Sequence, residues 1–404
     1  MVSGNILKTK KYAPVLLEYR EKYLKNLSAS VIPFWYNKSP DWEQGGSFSC
    51  LDRQGNVYDS KKYVWLVARS AWMFARLYNV FDRDPKHLKM AELGIDYLRN
   101  HARDDKGRYY FALTRKGEPW FYQRKPYGAV FAMMAYLEYF KATGKADYKK
   151  EAVDLFWKIH QWIQDPAILG RPSMKGVPAM SNLADVMVLA GMALELQSVD
   201  GDQQYEEEMI KALKQSKKHF HPELKILMEN VPRDRGQNIM QWPEGRLFNP
   251  GHSIEVAWFI MRLSEYVEDP EMFSLALEAL EGSLNYGWDK EYGGIYYFMD
   301  IEGKPTLQLE SSMKLWWPHT EALYALILAF CRTEDTRWLD WLIRVHDYAF
   351  SHFVDNEYGG WFGYCDRYGT LTHNSKGSHY KGFFHVPRAL LFSIQEIDRY
   401  ISID

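Results

Sequence analysis

Two stretches decide the fold. "WDKEYGGIYYFMD" (Trp288–Asp300) and "VDNEYGGWFGYCD" (Val354–Asp366) align residue for residue, with Gly293 and Gly359 lying 66 positions apart. Each reads as a glycine turn, a short aromatic-rich extended piece and a return. The same grammar opens at Gly45 in "GGSFSCLDRQGNV" and at Gly107 in "GRYYFALTRKGEP". These are β-hairpin signals, weaker than an Asn-Gly pair. Self-similarity at a fixed period names an architecture before any single element does. A period of about 66 residues fits roughly six times into the 404-residue chain.

Between the hairpins run long helical patterns, with apolar residues three and four apart. Examples are "YAPVLLEYREKYLKNLSASVIPFW" from Tyr12, "YVWLVARSAWMFARLYNVF" from Tyr63, "YGAVFAMMAYLEYFKATG" from Tyr127 and "TRWLDWLIRVHDYAFSHFV" from Thr336. About a dozen such runs predict an all-α (α/α)6 barrel: six helical hairpins in a toroid, with short β-hairpins in the loops of one face. No Pro/Ser/Gly-rich linker or charge block interrupts residues 1–404, so one domain is expected. An open helical solenoid fits less well, because the hairpin repeats are too aromatic and irregular for it.

Composition narrows the function classes. Apolar residues make up 47% and charged residues 25%, as in a well-packed globular protein. The net charge is -2 and basic residues are dispersed, so no nucleic-acid partner is expected. The 15 Trp, 28 Tyr and 21 Phe exceed what a plain core requires and suit the apolar faces of sugar rings. The three cysteines, Cys50, Cys331 and Cys365, are too few and too widely spaced for a disulfide framework. The N-terminal stretch lacks an apolar signal core and no run is long enough to span a membrane, so a cytoplasmic location is expected.

Three histidines occupy matching places in the repeat: His252 in "NPGHSIEVAWF", His319 in "LWWPHTEALYAL" and His385 in "KGFFHVPRALLF", separated by 67 and 66 residues. Each precedes a helical run and has proline within two residues, as helix starts tolerate. A helix N-terminus disfavours the imidazolium, so such a histidine is expected to stay neutral and to serve as a base. Glu255 and Glu321 follow on the same helix starts, placed to orient an imidazole or a hydroxyl. Arg69 lies among Val64, Trp65, Leu66, Ala68, Trp72 and Met73, and on an inner helix would face the cleft and hold a developing oxyanion. Arg76, nearer the end of that run, reads as surface or structural. Three histidines with glutamates could ligate zinc, but no H-E-x-x-H or cysteine pair is present, nor any nucleotide-binding glycine motif.

The segments "VYDSKKYVWLVARSAWMFARLYN", "GRLFNPGHSIEVAWFIM", "LWWPHTEALYAL" and "YKGFFHVPRAL", with the "EYGG" hairpins, resemble the N-acylglucosamine 2-epimerase family, and within it the N-acetylglucosamine 2-epimerase branch, from about Tyr23 to Leu390. The resemblance implies an (α/α)6 barrel, often a homodimer, with Arg69, His252, Glu321 and His385 as the catalytic set. Met180 and Asn182 of "PSMKGVPAMSNLADV" would contact a monosaccharide substrate, with His319, Glu255 and Trp316 as further substrate contacts. The cellobiose-epimerase branch carries an extra histidine in that segment which this chain lacks. The implied reaction interconverts N-acetyl-D-glucosamine and N-acetyl-D-mannosamine. The ring opens, one histidine removes the C2 proton, and another returns a proton to the opposite face. It requires no redox cofactor or metal; ATP is implied as an allosteric effector. Two other readings use the same residues: an aldose–ketose isomerase acting on mannose or a related hexose, and a glycoside hydrolase with Glu255 and Glu321 as its carboxylate pair.

Overall fold

The computed structural model describes residues 11–122, 124–234 and 237–402. In chain order its helices are α1 (Ala13–Asn26), α2 (Ile32–Lys38), α3 (Val64–Leu77), α4 (Pro85–His101), α5 (Tyr127–Thr143), α6 (Ala146–Gln164), α7 (Leu183–Asp200), α8 (Gln203–His219), the single turn α9 (Pro243–Arg246), α10 (Pro250–Tyr266), α11 (Pro270–Gly287), α12 (Trp316–Thr333), α13 (Arg337–His352) and α14 (His385–Ser402). The run from Tyr12 to Trp35 is divided: a wider π turn over Leu27–Val31 joins α1 to α2.

Helices α3, α5, α7, α10, α12 and α14 form an inner ring, each packed on the next, and α4, α6, α8, α11, α13 and α1 back them in turn. Sequence separates the two layers. Along α12 every residue from Trp316 to Phe330 is buried, whereas α6 buries the stripe Tyr148, Ala152, Leu155, Phe156, Ile159 and Trp162. A helix apolar all round belongs inside, and one with a single stripe belongs outside. The ring closes where Trp72 of α3 meets Phe384 (5.4 Å) and Phe392 (6.4 Å) of the C-terminal segment. Among the described residues no helix is long and apolar enough to cross a membrane.

The glycine hairpins differ from expectation in their pairing. Cys50–Leu51 folds back on Val57–Asp59, and Ala112–Leu113 on Pro119–Phe121. The other two instead give their strands to the residues just ahead of the preceding inner helix: Met299–Asp300 pairs with Leu247–Phe248, and Tyr364–Cys365 with Lys314–Leu315. Lys62–Tyr63 with Ala112–Leu113, and Met180–Asn182 with Asn230–Pro232, follow the same rule. These two- and three-residue ladders pin the N-termini of α3, α7, α10 and α12 at one mouth of the barrel.

A further repeat lies beneath them. Asp41, Asp289 and Asp355, each four residues before a Gly-Gly pair, accept Nζ of the fully buried Lys62 (2.8 Å), Lys314 (2.8 Å) and Lys376 (2.7 Å). Each also receives an arginine from a neighbouring hairpin: Arg115, Arg367 and Arg53 respectively. The glycines are required here. Gly294 has φ +79°, and a Cβ there would come within 2.5 Å of the Tyr348 ring.

Candidate active site

The pinned helix starts converge on one cluster. Asn249 caps α10, its Oδ1 accepting the His252 N–H (3.0 Å), and Pro250 occupies the first turn where its missing donor costs nothing. Gly251 follows, and a Cβ there would lie 2.4 Å from the Trp317 ring, so only glycine lets that indole seat against the helix start. His252 packs on Trp317 with centroids 5.2 Å apart, and His385 packs on the same indole at 5.7 Å.

Each of these histidines gives its Nδ1 to a carboxylate. His252 Nδ1 lies 2.9 Å from Glu229 Oε2, and His385 Nδ1 lies 2.7 Å from Glu321 Oε1. An ionised carboxylate only accepts, so Nδ1 carries the hydrogen and Nε2 is left for chemistry. Their charges are tuned apart. Burial opposes the His252 imidazolium, but Glu229, aided by Glu255, more than offsets it, and the pKa is raised above the ordinary value. His385 is pushed well below that value by burial and by the nearby Arg69, with Glu255 only partly compensating. Of this pair only His385 is neutral as expected, through burial and Arg69; at His252 the carboxylate prevails.

Arg69 projects from α3 between Phe131 (4.0 Å), Trp65 (4.3 Å) and Phe384 (4.6 Å). Its buried Nε has no acceptor among the described residues. Burial lowers its pKa to about 9, with Glu255 opposing the shift, so it remains cationic near neutrality and holds an N–H for an incoming oxygen. Beneath it, Arg388 Nη2 bridges Glu255 Oε1 and Glu321 Oε1, and Trp258 Nε1 donates to Glu321 Oε2 (3.0 Å). Glu255, Glu321 and His385 each offer an atom within 4.8 Å of the others, a spacing a metal could use. The Arg388 guanidinium, however, already supplies positive charge to both carboxylates. The same bridge removes the hydrolase pair: two carboxylates locked on one guanidinium do not flank a scissile bond.

Two of the expected substrate contacts, His319 and Trp316, are buried. His319 is fully buried; its Nδ1 donates to the Leu315 carbonyl (2.6 Å) and its Nε2 accepts the Ile295 N–H (2.9 Å). Burial pushes its pKa down to about 3. With both ring nitrogens engaged by the backbone, His319 lies against α13, stacked on Tyr348 (5.0 Å), and braces the glycine hairpin instead of meeting substrate. Trp316 is likewise buried, edge-on to Tyr364 (5.2 Å), and the indole that packs on both His252 and His385 is its neighbour Trp317. Asn182 caps α7 through its Oδ1, and its Nδ2 donates to Asn230 (3.0 Å) and to Glu229 Oε1 (3.3 Å), so it steadies the partner of His252. Met180 is half-buried in the adjoining strand, paired with Pro232. Arg76 lies near the far end of α3, on Glu138 (3.3 Å).

Glu229, Trp317, Trp258 and Arg388 are the residues that sequence reasoning missed. Glu229 sits outside any periodic run, and its backbone is held between the Leu183 N–H (2.8 Å) and the Leu247 carbonyl (3.1 Å). Trp317 and Arg388 lie inside "LWWPHTEALYAL" and "YKGFFHVPRAL", where only their neighbours carry a signal.

The profile of the N-acylglucosamine 2-epimerase (GlcNAc 2-epimerase) family matches residues 46–389. The N-acylglucosamine 2-epimerase of Homo sapiens is 38% identical over 368 residues, covering 89% of this chain and 86% of its own. That of Bos taurus is 37% identical over 386 residues, covering 92% and 90%. Among solved structures, cellobiose 2-epimerase from Spirochaeta thermophila superposes with a TM-score of 0.80 at 21% identity, covering 96% of this chain and 99% of that one. D-mannose isomerase gives 0.78 at 18% identity, with the same coverage. At those identities the likeness establishes the toroid and nothing about substrate.

Proposed function

The chain belongs to the N-acylglucosamine 2-epimerase family, and on that premise we propose that it interconverts N-acetyl-D-glucosamine and N-acetyl-D-mannosamine. The observation that carries the mechanism is the pair of histidines packed on one indole, each with Nδ1 on a carboxylate and with no partner on Nε2 among the described residues. The ring-opened sugar presents C1 as an aldehyde, which acidifies the C2 proton. His385, neutral, takes that proton on Nε2, and the C–H electrons move onto the C1 oxygen. Arg69 donates its spare N–H to this oxygen, where negative charge develops. His252, charged, then delivers the proton from its Nε2 to the other face of C2. The histidines exchange protonation states in one turnover, and exchange with water restores them. In the reverse direction their roles swap.

Relatives at 37–38% identity are N-acylglucosamine epimerases, whereas mannose isomerase is similar only in fold, so aldose–ketose isomerisation and glycoside hydrolysis are not favoured. Nothing in this proton shuttle calls for a redox cofactor or metal. We extend the reading to a cytoplasmic homodimer in amino-sugar metabolism, with ATP as an allosteric effector; the buried thiols of Cys50 and Cys365 suit a reducing compartment.

The test is incubation in heavy water with N-acetylglucosamine, N-acetylmannosamine, mannose or cellobiose, followed by proton NMR. Interconversion of the two N-acetyl sugars with deuterium at C2 is expected. Fructose from mannose, without exchange of either N-acetyl sugar, would overturn the reading in favour of isomerisation.

A further inference from the structure

Away from the histidine pair, a second group of ligand-bearing side chains meets at the rim. Cys50, Asp59 and His379 each offer one donor atom, and the three atoms lie within 4.8 Å of one another. We propose that Cys50, Asp59 and His379 form a binding site for a thiophilic divalent cation of the zinc type.

Three segments build it. Cys50 and Asp59 are direct partners across the first hairpin, so they stand side by side on one face. Asp59 is held in place: Oδ1 accepts Lys61 Nζ (2.8 Å), and Oδ2 accepts the Tyr63 hydroxyl (3.1 Å). His379 comes from the loop that leads into α14. Its carbonyl accepts Trp65 Nε1 (3.2 Å) and its ring lies edge-on to Tyr63 at 5.1 Å, which brings Nε2 to 3.9 Å from Asp59 Oδ2. Thiolate, imidazole and carboxylate together are a zinc-type set, and one thiolate with one carboxylate balances a dication. Cys50 is buried and His379 half-exposed, which leaves an open side for entry and for a water ligand. Binding replaces the thiol S–H by an S–metal bond and releases that proton to solvent. Because that proton must leave for the metal to bind, affinity increases with pH. Occupancy would tie the N-terminal hairpin to the loop that leads into α14.

Titration of the full-length protein with Co2+ tests this directly. A thiolate-to-cobalt charge-transfer band saturating at one ion per chain is expected, displaced by Zn2+ and lost in C50S. H379A, altered at an exposed position and therefore folded, should bind Co2+ at least tenfold more weakly. Both variants should keep metal-free turnover. A wild-type protein without the band, a band undiminished in C50S, or unchanged affinity in H379A would each overturn the site.

Discussion

At the scale of single residues, two imidazoles share one chemistry because their surroundings differ. Glu229 favours the charged form of His252, while burial and Arg69 favour the neutral form of His385. E229Q removes the carboxylate, so the His252 pKa falls and the alkaline limb of activity that depends on its charged form moves to lower pH. A fall in kcat of about 10²-fold is expected, the low end of what a positioned acid or base supplies. E229Q with an unshifted pH profile would reduce Glu229 to packing. The sequence made Arg69, His252, His385 and Glu321 legible because each lies in a periodic helical run. Glu229 was not legible, since its partner is 23 residues away across a loop with no period. Arg388 was hidden for a related reason: its acid Glu255 is 133 residues distant.

At the scale of elements, backbone bonding separates one of the three regularly spaced histidines from the other two. The period of about 66 residues located α10, α12 and α14. Yet the Leu315 carbonyl and the Ile295 N–H engage both ring nitrogens of His319 and hold it against α13, while Trp317 packs on His252 and His385. H319A should therefore cost stability and leave catalysis alone. Loss of two hydrogen bonds and creation of a cavity amount to roughly 2–4 kcal/mol. Urea denaturation checks the first part, and an unchanged kcat per folded molecule checks the second; a 10²-fold loss would return His319 to the site. Gly251 carries the complementary prediction. G251A forces its Cβ into Trp317, which should shift the tryptophan fluorescence and lower kcat at least tenfold while the helix itself persists. A G251A enzyme with wild-type kcat and emission would show that Trp317 has room to move. The hairpins were readable as glycine turns, but their partners were not, because three of the four lend a strand to residues outside their own unit.

At the scale of the molecule, the toroid is held as a ring by the three buried lysine–aspartate pairs and the arginines that cross between hairpins. Arg53 on Asp355 spans 302 residues and helps to close the circle. Hydrogen bonds from those cations hold Asp41, Asp289 and Asp355 below the usual carboxylate range against the effect of burial. A depressed folded pKa contributes stability that is complete above the unfolded value of about 3.9 and is lost as pH falls below it. Acid unfolding followed by circular dichroism should thus be steep below about pH 4. D355N, which leaves Lys376 buried without its counter-charge, should cost about 3–5 kcal/mol at pH 7 and flatten that dependence. What the closed ring achieves is to bring His252 and His385, 133 positions apart in sequence, onto the same indole. The central claim is that they serve opposite faces of C2. It is tested most directly by solvent exchange in H252N and H385N, each given N-acetylglucosamine and N-acetylmannosamine separately in heavy water. Each variant should fail to interconvert the sugars yet exchange the C2 proton of one epimer, H252N one of them and H385N the other. Exchange of the same epimer by both variants, or sustained interconversion by either, would contradict the account.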